Sequence, residues 1–248
     1  MKHCFIFVFS IIISFVASLQ AEQVFFNITF SSPEHTVGFP PATNPPTGPT
    51  RIVFGEPVVL DSLGSLNHQP LVFNTEGNSP TFYYDQIKLG TPGYENFYYV
   101  SFDLLIQNLI DSTNQFTVLF DTPTVRNIIF RNDGDIFLLN PGDSCVIGSF
   151  SEDTVMRFEV YLYMNDRQWT IIVNDNIMHS GDFNFEEYLR SIRFSMGLRA
   201  AYTTPNHNTF VGLDNIIVAN YVVPRNAPPI AHAGEDQFVY VDRRDRGG

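Results

Sequence analysis

Arg157, Glu159, Tyr161 and Tyr163 occupy alternate positions in TVMRFEVYLYM, so an extended chain puts a guanidinium, a carboxylate and two phenols on one face. Tyr99 and Asp103 repeat the pattern in YYVSFDLLI, and Arg193 does so in SIRFSMGLR. Saccharide recognition uses aromatic surface for the sugar's apolar faces and fixed polar groups for its hydroxyls. These seven residues are therefore the candidate ligand-binding set. One catalytic reading uses the same types. A lyase that removes the proton beside a uronate carboxylate needs a His or Tyr base next to a neutralising Arg or Gln, types that Tyr161, Arg157 and Arg193 would supply. The simpler alternative, and the weightier one, is that Tyr and Arg cover a half-wet sheet with amphipathic side chains.

Metal chemistry is thinly represented. His35, His68, His179 and His207 are scattered, without H-x-H or H-E-x-x-H spacing, so no zinc site is indicated. Calcium asks for oxygen ligands clustered on loops. Asp133 and Asp135 in NDGD (132–135) and Asp214 in FVGLDNIIV are weak candidates for it. Hairpin turns use Asn and Asp for backbone reasons alone, which is the simpler account of 132–135 and of NDN (174–176). Asp214, read on a face with Phe210, Ile216 and Val218, must be paired or hydrogen-bonded; an Arg or a backbone donor is the first expectation and a cation the second.

The elements that position these residues read as strands. Candidates lie at 23–30, 51–60, 81–89, 96–107, 114–121, 125–131, 134–139, 154–164, 168–174, 176–180, 191–199 and 209–223, punctuated by NDG, NPGD, MNDRQ and VNDN turns. One short helix is expected around FNFEEYL (183–189), and the proline-rich segment 38–50 reads as an extended surface loop. Met156, Phe158, Val160, Leu162 and Met164 oppose Arg157, Glu159, Tyr161 and Tyr163; Ile192, Phe194, Met196 and Leu198 oppose Arg193. Antiparallel strands with one apolar and one mixed face specify an all-β, two-sheet antiparallel sandwich.

Composition sets the location and excludes some partners. MKHCFIFVFSIIISFVASLQA has a cationic start, an apolar run and a small-residue end, so 1–21 reads as a secretory signal peptide, with Cys4 ahead of the apolar run. The run falls short of the roughly 20 residues that span a bilayer, so no membrane insertion is expected after cleavage. Cleavage leaves Cys145 alone, without an internal disulfide, and the small-hydrophobe role is the simpler one for it. The net charge of −12 becomes −13 once Lys2 is lost, a surface that repels nucleic acid and anionic lipid. Asn27 in NIT is a glycosylation acceptor only if the source is eukaryotic, and the absence of disulfides leans toward a bacterium.

MRFEVYLYMNDRQWTIIVNDNIMHSGDF, then SIRFSMGLR, then FVGLDNIIVANY resembles the second half of jelly-roll domains of the concanavalin A-like lectin/glucanase superfamily, laminin-G-like modules included. That resemblance implies a jelly-roll sandwich over 22–224. The hydrolases among such domains carry paired carboxylates on one strand, spaced E-x-D-x-x-E or E-x-D-x-E, and a retaining pair sits about 5–5.5 Å apart. No such spacing occurs: Glu159 has Tyr161 and Tyr163 as same-face neighbours, Asp103 is followed by Leu105, and Glu186 and Glu187 are adjacent. NAPPIAHAGEDQFVYV looks like the start of a PKD domain through Asn226, Pro229, Ala231, Ala233, Gly234, Asp236, Gln237 and Val239. On that resemblance 225–248 is a linker and an incomplete PKD-like segment, and the chain is the front of a longer exported protein.

The leading expectation is a secreted or cell-surface binding module without catalysis, whose mixed sheet face or rim loops contact glycan. A structural or adhesive module with surface-protein partners stands second, and a polysaccharide lyase or hydrolase third.

Overall fold

The computed structural model describes residues 24–30, 35–41, 50–54, 57–75, 81–84, 96–121, 126–139, 144–182, 189, 191–198 and 208–222. The signal-peptide reading of 1–21, most of the 38–50 loop, the 183–189 helix apart from the buried Leu189, His207 and the PKD-like segment lie outside them.

Among the described residues there are fifteen strands: β1 (Val24–Ile28), β2 (Thr50–Phe54), β3 (Val58–Val59), β4 (Leu71–Asn74), β5 (Thr81–Tyr84), β6 (Phe97–Gln107), β7 (Asn114–Asp121), β8 (Arg126–Phe130), β9 (Asp135–Leu139), β10 (Cys145–Ser149), β11 (Met156–Tyr163), β12 (Gln168–Val173), β13 (Asn176–Asp182), β14 (Ser191–Leu198) and β15 (Phe210–Ala219). They form two antiparallel sheets. The first runs β13-β12-β11-β6-β15-β4-β3, with β1 also pairing with β15; the second runs β10-β9-β8-β7-β14-β5-β2. No helix occurs among the described residues, and none there is long and apolar enough to cross a membrane. The chain is an all-β sandwich, as its alternation requires.

The sandwich closes on apolar rows, those of Phe158 and of Phe194 among them. From the first sheet come Val100, Phe102, Phe158, Val160 and Trp169; from the second come Phe116, Phe120, Phe130, Ile192 and Phe194; all are buried. Rings meet edge to face across the gap: Phe102 on Phe194 at 5.2 Å, Phe130 on Phe158 at 5.5 Å and Phe120 on Trp169 at 6.3 Å between centroids. Such pairs add about 0.5–1.5 kcal/mol each to the burial of the rings.

Turn chemistry follows the sequence. Asn174 and Asp175 both take positive φ (47° and 67°), as a two-residue hairpin between β12 and β13 demands, and Gly134 (φ 84°) closes the turn between β8 and β9.

Three strand assignments differ from expectation. The stretch 51–60 divides between sheets, β2 entering the second and β3 the first. β4 had no alternation to betray it, because Leu71, Val72 and Phe73 are buried in succession. β10 is a half-exposed edge strand with a register shift between Val146 and Gly148, which breaks the period of two. Cys145 on β10 is a half-buried free thiol packed against the core.

Candidate functional site

Pairing registers fix the outward face of the first sheet row by row. On β11 and β6, Tyr163 stands opposite Phe97, Tyr161 opposite Tyr99, Glu159 opposite Ser101 and Arg157 opposite Asp103. The rows continue onto β12 and β13, from Tyr163 to Gln168 to Asp182 and from Tyr161 to Thr170 to Ser180. On the other flank, β15 places Ala219 beside Tyr99, Ile217 beside Ser101 and Asp214 beside Asp103.

Six of the seven candidate ligand-binding residues therefore share one surface: Tyr99, Asp103, Arg157, Glu159, Tyr161 and Tyr163. Arg193 does not join them. It lies on β14 in the second sheet, in register with Tyr83 on one side and Leu119 on the other. Alternation shows which residues of a strand face outward but cannot say on which sheet. The constellation of Tyr161 with Arg157 and Arg193 is thus not assembled.

The rings form a graded stack. Phe97 meets Tyr163 at 5.2 Å and Tyr161 at 6.3 Å, and Tyr161 meets Tyr99 edge to face at 5.5 Å. Exposure falls along it, from 39% at Tyr163 to 0% at Tyr99, which packs with Ala219, Val24, Ile217 and Tyr221 in a small apolar cluster. The Tyr161 hydroxyl donates to Glu159 Oε2 at 3.0 Å. Burial first, and then the acceptor carboxylate, pushes this phenol well above its usual range, so Tyr161 is a poor general base. Tyr99 is raised by burial as well, with Ser101 and Arg157 partly opposing. Its hydroxyl lies against those two side chains without a well-aligned hydrogen bond.

Below the rings lies a polar junction of three strands. Arg157 donates through Nη1 to Asp103 Oδ1 at 3.0 Å and through Nη2 to Ser101 Oγ at 3.1 Å. Asn215 Nδ2 donates to the other Asp103 oxygen at 2.7 Å, and the Asn215 backbone N–H donates to Asp214 Oδ1 at 2.7 Å.

A register shift between Asp214 and Ile217 explains this arrangement: Asn215 takes φ 50°, which Asn tolerates, and the strand changes parity there. Asp214 accordingly faces outward beside Asp103, while Ile216 and Val218 face the core. This corrects the single face on which the sequence placed Asp214 with them. Burial raises the Asp214 carboxyl to about 7, with the Asn215 N–H lowering it, Asp103 raising it and Arg157 lowering it.

The calcium candidates do not converge. Asp133 and Asp135 belong to the turn between β8 and β9 in the second sheet, where the Asp135 N–H donates to Asp133 Oδ1 at 3.3 Å and the Arg131 N–H to the Asp135 carbonyl at 3.0 Å. Asp214 is in the first sheet, and no three acidic, His or Cys side chains among the described residues form a metal-binding group.

Phe97, Ser101, Gln168, Thr170, Ser180, Asp182 and Asn215 were not singled out from the sequence. The alternation of QWTIIV was the available signal for Gln168 and Thr170, since Trp169, Ile171 and Val173 point inward.

No family model matches the chain, and no curated protein matches it. Its fold is similar to that of the receptor binding domain of botulinum neurotoxin D, with TM-score 0.52 and 11% identity over 81% of this chain and 50% of that one. The botulinum neurotoxin serotype D/C binding domain gives 0.56 at 11% identity over 81% and 49%. The binding domain of botulinum neurotoxin DC, solved in complex with rat synaptotagmin II, gives 0.54 at 11% identity over the same shares. The chain thus spans about half the length of these structures. Such likeness establishes a shared β-sandwich fold.

Proposed function

We propose that this chain is an exported binding module without catalytic activity, and that the outward face of β6, β11, β12 and β13 contacts glycan. The observation that carries the reading is the adjacency of ring and hydroxyl rows: Tyr163 and Tyr161 lie directly beside Gln168 and Thr170, and the same rows run on to Asp182 and Ser180 one strand further. Sugar rings offer CH faces to aromatic surface and hydroxyls to amide, hydroxyl and carboxylate groups, so this pairing suits them. Export is supported by the N-terminal pattern of 1–21.

Glycan-array binding tests the reading. Binding by the chain that is lost in Tyr161→Ala and in Tyr163→Ala, with the sheet spectrum and unfolding transition retained, is the expected result. An array without signal overturns it. A second reading, a structural or adhesive module with protein partners, is favoured by exposed Ile177 on β13 and Val146 on β10, two neighbouring edge strands. It predicts association that depends on Ile177 and is indifferent to Tyr163.

A further inference from the structure

The two sheets meet edge to edge on one side of the sandwich, where β13 ends the first sheet and β10 ends the second. Both strands are irregular at that place. On β10, Val146 pairs with Phe137 and Gly148 with Ile136, which leaves Ile147 as an extra residue. On β13, His179 pairs with Ile171 and Ile177 with Ile172, which leaves Met178 as another. Bulges of this kind bend an edge strand and re-aim a side chain. Here Met178 reaches from one sheet to the other: a Cβ added at Gly148 would collide with its methyl carbon and stand 3.7 Å from its sulfur. The methyl group fills the space that a glycine leaves, and Met178, Ile147 and Cys145 pack together against this side of the core.

Met178 is half-buried, whereas Met156 and Met196 are enclosed at 4% and 1% exposure. Its thioether is therefore a packing group that a small oxidant can still reach. Peroxide transfers one oxygen atom to a sulfur lone pair: the S–O bond forms, the O–O bond breaks, sulfur is oxidised by two electrons and hydrogen peroxide is reduced to water. The product is polar, and holding a sulfoxide oxygen in a seam of Ile147, Cys145 and glycine backbone costs free energy that exposure to water relieves.

We infer that Met178 is a peroxide-sensitive latch between the two sheet edges, closed as the thioether and opened as the sulfoxide. Trp169, the chain's single tryptophan, reports its state: it is buried on β12, pairs with Gly181 of β13 and meets the His179 ring edge to face at 5.7 Å. Treatment of the full chain with hydrogen peroxide, read by peptide mass mapping, tryptophan emission and hydrogen exchange, tests the inference. Met178 is expected to oxidise about tenfold or more faster than Met156 and Met196, with a red shift of Trp169 emission and exchange in 145–149 and 176–182 raised about tenfold or more. Met178→Leu keeps an apolar plug and should abolish the response, although half-buried Met164 still oxidises. Gly148→Ala displaces the methyl group sterically and should raise exchange in both strands without peroxide, with little further rise on oxidation. Oxidation of Met178 no faster than that of Met156, or complete oxidation of Met178 with exchange and emission unchanged, overturns the inference. An equal response in Met178→Leu overturns it as well.

Discussion

Asp214 shows how a single side chain carries an energetic consequence the strand pattern does not reveal. Its carboxyl is 1% exposed and raised from 3.8 to about 7, burial being the main cause. A group whose folded pKa lies above its unfolded value stabilises the fold fully below the unfolded value, and that contribution is lost as pH rises through the folded one. Above pH ~7 the charged carboxylate therefore costs the fold about 4 kcal/mol relative to acid conditions, taking 1.36 kcal/mol per unit. Asp214→Asn keeps an acceptor for the Asn215 N–H and removes the titration. Its stability relative to the unmodified protein is expected to improve between about pH 4 and pH 7.5, as measured by urea unfolding at both. Equal pH slopes in the two proteins would show that Asp214 is not the group responsible.

At the scale of elements, β15 does three things within ten residues. It pairs with β4 at its start, with β1 at its end and with β6 throughout, and its bulge turns Asp214 and Asn215 toward Asp103. Where β15 pairs with both β6 and β4, the outward face is closed by the segment 61–69, whose Leu63 and Leu66 side chains lie over Gly212. A Cβ added at Gly212 would stand 2.9 Å from both leucines. Gly212→Ala is accordingly expected to cost about 1–3 kcal/mol by overpacking and to raise hydrogen exchange across 61–69. Combining it with Leu66→Ala should recover part of that loss; strict additivity would refute the steric account.

Across the whole molecule the sandwich depends on aromatic contact between its two sheets. Phe102 stacks on Phe158 at 5.1 Å within its own sheet and meets Phe194 of the other edge to face. Phe102→Ala should cost about 3–5 kcal/mol. Tyr163→Ala, on the wet side of the neighbouring strand, should change stability by no more than about 0.5 kcal/mol. Chemical denaturation of both variants checks the contrast, and similar losses would mean that the two faces are not distinguished as described. Much of this was legible in the residues alone. Period-two segregation assigned Phe158, Val160 and Phe194 to the interior and Arg157, Glu159 and Tyr161 to the outside, because successive side chains of an extended chain must leave on opposite sides. Asn-Asp turns were equally readable, since their cause is local backbone sterics. β4, buried on both faces, and the bulge at Asn215 left no periodic trace. The sequence by itself thus determined which residues face in or out wherever the alternation of a strand is unbroken. Only the tertiary structure decided which strands are neighbours, and so that Arg157 meets Asp103, that Gln168 and Ser180 extend the tyrosine rows, and that Arg193 stands on the other sheet. Strand pairing is set by long-range register and packing, and the alternation within one strand is the same whichever sheet it joins.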